Sequence, residues 1–164
     1  MAQFAAITGW GKCMPPAVLS NADLATFLDT DDDWIRSRTG IHERRISHVS
    51  LGKMAEVAAR RALAGAGLDP KALDLIVFGT CSMDEQVPNM ASGLQVALGA
   101  RGAGAMDVNT ACTSFLYGLT TASSMRHRSA RGSLRHGVVA PKPSSRPPTA
   151  YGRARSCRRI AACP

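Results

Sequence analysis

No acidic residue occurs in the last 39 positions of this 164-residue chain, although that stretch carries ten of the 20 lysines and arginines. Residues 1–125 hold the other ten basic residues and all 12 acids, a balance of −2, so the overall +8 belongs wholly to residues 126–164. Two unlike parts are therefore joined in one chain. Aromatics are scarce at 5%, and Tyr151 alone falls in the basic part. Without stacking platforms, a nucleic acid is not expected as a partner. No apolar run approaches the roughly 18 residues of a membrane span, so no membrane partner is expected either. The N-terminus, Met1-Ala-Gln-Phe-Ala-Ala-Ile, lacks the basic lead of a secretory signal. Five cysteines (Cys13, Cys81, Cys112, Cys157, Cys163) contain no C-x-x-C pair and stand apart from the histidines. Neither a metal site nor a disulfide framework is expected, and a reducing cytoplasm is the expected location.

What is present up to Met125 is an alternation of strands and helices. Phe4–Gly9 reads as a short apolar strand. Ser20 is placed to cap a helix that shows Leu24, Phe27 and Leu28 on one face. Asp31-Asp32-Asp33 suits the first turn of a second helix that Gly40 closes. Ser50 opens a longer helix with Leu51, Met54, Ala55, Ala58, Ala62 and Ala66 at helical spacing, and Gly67 lies beyond its end. Leu73–Gly79 reads as a buried parallel strand, Pro88 as the first turn of a helix ending near Gly99, and Gly104–Val108 as the next strand. This order predicts an α/β fold, βαβαβ, with a mostly parallel sheet and flanking helices.

Past Met125 the pattern ends. Pro141, Pro143, Pro147 and Pro148 exclude regular elements across 141–148. With little to bury, the Arg/Pro/Ser-rich segment 126–164 is expected to be unstructured. Out-of-frame translation of a GC-rich gene yields this composition and is the preferred account of an aberrant, frameshifted tail. A genuine basic tail for nucleic acid or anionic lipid is the alternative.

The stretch Asp107-Val-Asn-Thr-Ala-Cys112-Thr-Ser-Phe-Leu-Tyr-Gly-Leu119 turns from a strand into a helix with Cys112 at the corner. A thiol at a helix N-terminus meets the positive end of the dipole and unpaired N–H groups, which favour the thiolate. A small buried core cysteine is the other reading of the same position. Asn109, close by, reads as a turn former that bonds local backbone.

Four stretches together carry a family resemblance: Asn21-Ala-Asp-Leu; Asp29-Thr-Asp-Asp-Asp-Trp34-Ile-Arg-Ser-Arg38-Thr-Gly40-Ile-His-Glu-Arg44-Arg; Asp74-Leu-Ile-Val-Phe; and Asp107 to Leu119. Residues 3–125 resemble the N-terminal half of β-ketoacyl-acyl-carrier-protein synthase III, a condensing enzyme that initiates fatty-acid synthesis. The resemblance implies a thiolase-like half-fold over residues 1–125. It implies that Cys112 accepts an acyl group from acyl-CoA and passes it to malonyl-acyl-carrier protein, with no cofactor and in a homodimer. It places Thr30, Trp34 and Arg38 at the CoA entrance, with the indole near adenine, and Val87 on a loop that enters the partner's acyl pocket. Packing of Trp34 on the long helix, and an ion pair from Arg38 to Asp31–Asp33, are the structural alternatives. Arg44 and Arg45 read either as a face for the acidic carrier protein or as solvated charge. The His and Asn that stabilise the family's enolate match no position here: His42 reads as a surface residue, and His127 and His136 lie in the tail. The chain is therefore expected to be truncated and inactive in condensation. Thr113-Ser114-Phe115 departs from the family's usual Ala-Gly-Phe, which keeps another thiolase-fold condensing acyltransferase open. A non-enzymatic basic protein is the third class.

Overall fold

The structure, a computed structural model, describes residues 5–128 and 137–140. The chain forms two compact units, one built on residues 14–48 and one on residues 5–13 with 49–140.

In the smaller unit, strand β1 (Ala17–Ser20) runs antiparallel to β2 (Glu43–Ile46), with Ser20 opposite Glu43. Helices α1 (Asn21–Ala25) and α2 (Asp32–Thr39) lie between them in sequence. Ser20 caps α1 through a reciprocal pair: its Oγ accepts the Asp23 N–H at 3.1 Å, and the Asp23 carboxylate accepts the Ser20 N–H at 2.8 Å. That carboxyl is held below its usual range by the Ser20 hydroxyl and backbone. The helix stops at Ala25, so Phe27 and Leu28 fall outside it and stay exposed, against the expected longer apolar face. Asp31 caps α2 by accepting the Trp34 N–H at 2.7 Å, and Gly40 ends it at φ 71°, a conformation open to glycine without steric cost.

Asn21 joins these pieces. Its side chain is 1% exposed. Its amide donates to Asp32 Oδ1 at 2.7 Å and to the Ile41 carbonyl at 2.8 Å, while its carbonyl oxygen accepts from Arg44. One buried amide thus fastens the start of α1 to α2, to the turn after α2 and to β2. A buried polar group is tolerated when its donors and acceptor are met in this way.

The larger unit begins without the expected strand. Residues 5–13 form no strand, and Ile7 and Trp10 are exposed. A strand needs a ladder partner, and none pairs with this segment among the described residues. Its backbone instead lies on helix α3 (Leu51–Ala66), so closely that a Cβ on Gly9 would stand 2.3 Å from the Ala62 carbonyl oxygen, and one on Gly11 2.1 Å from that of Ala58. Helix α3 therefore has two working faces. Ala58, Ala62 and Ala66 receive the N-terminal segment, whereas Leu51, Met54, Ala55, Ala59 and Leu63 enter the core. Ser50 caps it and Gly67 closes it at φ 63°, as the sequence predicts.

Strand β3 (Leu75–Gly79) is the centre of a parallel sheet ordered β4–β3–β5, with β4 at Gly104–Val108 and β5 at Gly137–Ala140. Every residue of β3 is buried. Ile76 and Phe78 enter the core shared with α3 and α4 (Met90–Leu98), while Leu75 and Val77, pointing the other way, are equally covered. Helix α5 (Ser114–Arg128) packs against β3. Pro88 precedes α4 instead of opening it, because Asn89 takes the capping position and its side chain accepts the Ser92 N–H at 2.9 Å.

Regular structure also continues past Met125, where the charge break placed its end. Helix α5 runs to Arg128, and β5 pairs in register with β3, Leu75 opposite Gly137 and Phe78 opposite Ala140. Gly137-Val-Val-Ala is a short β-branched run inside the basic segment, the composition that suits a strand beside an apolar neighbour. The proline-rich stretch 141–148 lies outside the described residues. The result is a mostly parallel sheet with flanking helices, as the alternation predicts.

Candidate active site

The corner after β4 is built by conflict between strand and helix. Beyond Val108 the chain passes Asn109 and Thr110, makes a 3-10 turn over Ala111–Thr113, and enters α5 at Ser114. Cys112 thus sits in the turn that precedes the α-helix, two residues before the helix begins instead of at its first residue as expected, and it is exposed. Ala111, next to it, has φ 48°. An L-residue held in the left-handed region costs about 1–2 kcal/mol, so surrounding bonds must impose it.

Those bonds are local. Thr113 donates its N–H at 3.1 Å and its hydroxyl at 2.7 Å to the Thr110 carbonyl. Ser114, 3% exposed, accepts the Thr110 N–H on its Oγ at 3.0 Å and donates to the Ala111 carbonyl at 2.9 Å. Asn109 is exposed. Cys112 is exposed, unlike the small buried core cysteine of the other reading.

A second set of contacts ties this corner to the connection that carries Val87. Asp107, on β4, accepts the Met90 N–H at 2.9 Å on Oδ2 and the Ala91 N–H at 2.8 Å on Oδ1. With Asn89 taking Ser92 N–H, the first three orphan donors of α4 are all satisfied. A negative group there is also favoured by the helix dipole. The connection between β3 and α4 is pinned earlier by Asp84, whose Oδ2 accepts the Gly52 N–H of α3 at 2.9 Å, and by Thr80, whose N–H reaches the Val108 carbonyl at 3.1 Å. Between these anchors Val87 stands out, 90% exposed. The roles of Asp107 and Asp84 were not foreseen, because a carboxylate that meets backbone far away in sequence leaves no local spacing to read. Cys81 is a further exposed cysteine just beyond β3, so two exposed thiols follow the C-terminal ends of neighbouring parallel strands.

The smaller unit holds Thr30, Trp34 and Arg38. Trp34 is 49% exposed, and the Arg38 guanidinium carbon lies 5.8 Å from its ring centroid, within cation–π range. The acidic cluster is met by Arg36 instead, 3.2 Å from Asp32. The Asn21 amide and then Arg36 hold the Asp32 carboxyl below its usual range. Thr30 Oγ1 is the buried side-chain oxygen that finds no hydrogen-bond partner among the described residues. Arg45 pairs with Glu43 at 2.9 Å. Among the described residues no group of three His, Cys, Asp or Glu side chains is placed to hold a metal ion, and no helix is long and apolar enough to cross a membrane.

A parallel sheet that delivers an exposed cysteine at a strained strand-to-helix corner defines the chain's class, the thiolase-like condensing-enzyme fold. Solved structures of that class superpose on it: 3-oxoacyl-[acyl-carrier-protein] synthase III from Aquifex aeolicus at a TM-score of 0.70 and 42% identity, over 73% of this chain and 39% of that one. The priming β-ketosynthase of the R1128 polyketide pathway gives 0.74 at 35% identity, over 81% and 40%. Among curated proteins, β-ketoacyl-[acyl-carrier-protein] synthase III 2 of Vibrio cholerae is 55% identical over 136 residues, 83% of this chain, and synthase III of Roseiflexus castenholzii is 49% identical over 129 residues, 76% of this chain and 38% of that protein. No protein-family model matches the chain. The chain is a β-ketoacyl-acyl-carrier-protein synthase III homologue over most of its length, and it spans 37% of the length of the Vibrio cholerae relative. Because 136 aligned residues exceed 125, the likeness runs at least 11 residues past Met125.

Proposed function

We propose that Cys112 is the acyl-accepting nucleophile of a β-ketoacyl-acyl-carrier-protein synthase III reaction. The observation that carries this reading is its exposure at the Ala111 corner, inside a chain that is 55% identical to such a synthase over 136 residues. The Cys112 thiolate attacks the carbonyl carbon of an acyl-CoA. A new C–S bond forms, the bond to the CoA sulfur breaks, and CoA leaves as a thiolate that takes up a proton. One thioester replaces another, so little free energy separates the two sides, and sulfur serves well both as nucleophile and as leaving group. In the second stage malonyl-acyl-carrier protein loses CO₂, and the resulting carbanion attacks the acyl-Cys112 carbonyl. The Cys112 thiolate is expelled and the carrier protein keeps the β-ketoacyl product.

That second stage develops negative charge on an enolate oxygen and needs fixed donors aimed at it. No residue of this chain matches the family's His and Asn donors. We therefore propose that acyl loading is the stage these residues carry out. Trp34 and Arg38 supply a flat aromatic and cationic edge suited to a purine and its phosphates, with Thr30 beside them in sequence; Val87 serves as a chain-length loop in a homodimer. The cytoplasm is the matching compartment.

Incubation with acetyl-CoA followed by peptide mass spectrometry tests the reading. One acetyl group on the Cys112 peptide, absent in Cys112→Ala and requiring more acetyl-CoA for half-saturation in Trp34→Ala, is the expected result. Acetylation spread evenly over Cys13, Cys81 and Cys112 refutes it. The superposition on a polyketide priming synthase favours a second reading, in which the primer is a different acyl group. Faster loading from a longer acyl-CoA than from acetyl-CoA would select it.

A further inference from the structure

We propose that Ser114 is the positioning residue of the nucleophile: its hydroxyl holds Ala111 in the left-handed conformation that presents Cys112. This rests on the reading of Cys112 as the reactive thiol. The Ser114 Oγ bonds to both sides of the strained residue, accepting from the Thr110 N–H at 3.0 Å and donating to the Ala111 carbonyl at 2.9 Å. The Thr110 hydroxyl lies 3.4 Å from the same oxygen. Ser114 is 3% exposed, so water does not readily replace these bonds. Thr113 closes the turn through separate bonds to the Thr110 carbonyl at 3.1 and 2.7 Å, so the turn itself does not depend on Ser114. What Ser114 adds is control of Ala111, where φ 48° is unfavourable for any residue with a Cβ. Released from the clamp, Ala111 relaxes toward negative φ, and the following residue, Cys112, swings with it.

Glycine adopts positive φ without strain, which supplies a rescue that a packing role would not show. In Ser114→Ala the maximal rate of Cys112 acetylation by acetyl-CoA is expected to fall about tenfold, with the half-saturating acetyl-CoA concentration unchanged. Adding Ala111→Gly to Ser114→Ala is expected to recover most of that loss. Iodoacetamide alkylation of Cys81, exposed beyond the neighbouring strand, is expected to stay at the wild-type rate in every variant. An unchanged rate in Ser114→Ala overturns the proposal, as does a loss that Ala111→Gly does not repair. An equal change at Cys81 also overturns it, since that reports general loosening. If wild-type Cys112 takes no acetyl group, the functional reading fails by itself. The iodoacetamide rate at Cys112 in the same three proteins then decides the role of Ser114 by the same pattern of loss and rescue.

Discussion

Replacing Asp107 by alanine removes the carboxylate that two backbone N–H groups of α4 share, at 2.9 and 2.8 Å. A hydrogen bond to a charged acceptor contributes about 1.5–3 kcal/mol, and the charge at a helix N-terminus about 0.3–1 kcal/mol more. Asp107 is half-buried, so water partly re-solvates the released amides. The expected loss is therefore about 2–4 kcal/mol, above the ~1 kcal/mol typical of a single N-cap because two donors are orphaned. Against a domain stability of about 5–15 kcal/mol this is a large share, and the urea midpoint should fall by roughly 1–2 M. Amide hydrogen exchange locates the cause. The Met90 and Ala91 amides should lose protection, whereas Ser92, held by Asn89, should keep most of its own. A loss below about 0.5 kcal/mol, or unchanged exchange at Met90 and Ala91, would refute the view that Asp107 fixes the start of α4.

Two further outcomes follow from the smaller unit. Asn21→Ala leaves Asp32, the Ile41 carbonyl and Arg44 without their shared partner, and should cost about 2–3 kcal/mol; a thermal melt within experimental scatter of wild type would contradict this. Asp23 and Asp32 both have folded-state values below the ordinary 3.8, so the stabilisation they give is complete above that value and is lost as pH falls through the lower folded values. Melting temperature should accordingly drop on acidification below about pH 4, less steeply in Asn21→Ala, and a melt that holds or rises there would reverse the sign assigned.

Elements with local punctuation were legible beforehand. Ser50 and Gly67 bound α3, Asp31 and Gly40 bound α2, and Gly99 ends α4, each by a cap whose chemistry sits within a few residues of the element. The apolar run of β3 and the cysteine corner were legible for the same reason. The pair β1–β2 was not, since Glu43-Arg44-Arg45-Ile46 has no apolar alternation and is held in place by a partner distant in sequence. Nor was β5, four residues of apolar character submerged in arginine. The same limit hid the site's supports. Asn21 and Asp107 act across 11 to 23 and 16 to 17 residues respectively, separations at which no spacing rule operates. Arg36 took the acidic partner offered to Arg38 because four residues separate it from Asp32, one helical turn.

The sheet order β4–β3–β5 also sets a timetable. Leu75 pairs with Gly104 on one side and with Gly137 on the other, so one edge of the most buried strand has no partner until the last described element has been synthesised. Throughout that interval the emerging chain displays Leu75-Ile-Val-Phe78, an apolar, uncharged strand with an unoccupied hydrogen-bonding edge, which is the kind of segment that pairs with other copies. Slow translation between Val108 and Gly137 would lengthen this exposure, and fast translation or a holding chaperone would shorten it. Yield of soluble chain should then depend on the speed at which residues 109–137 are made, independently of the final stability of the sheet.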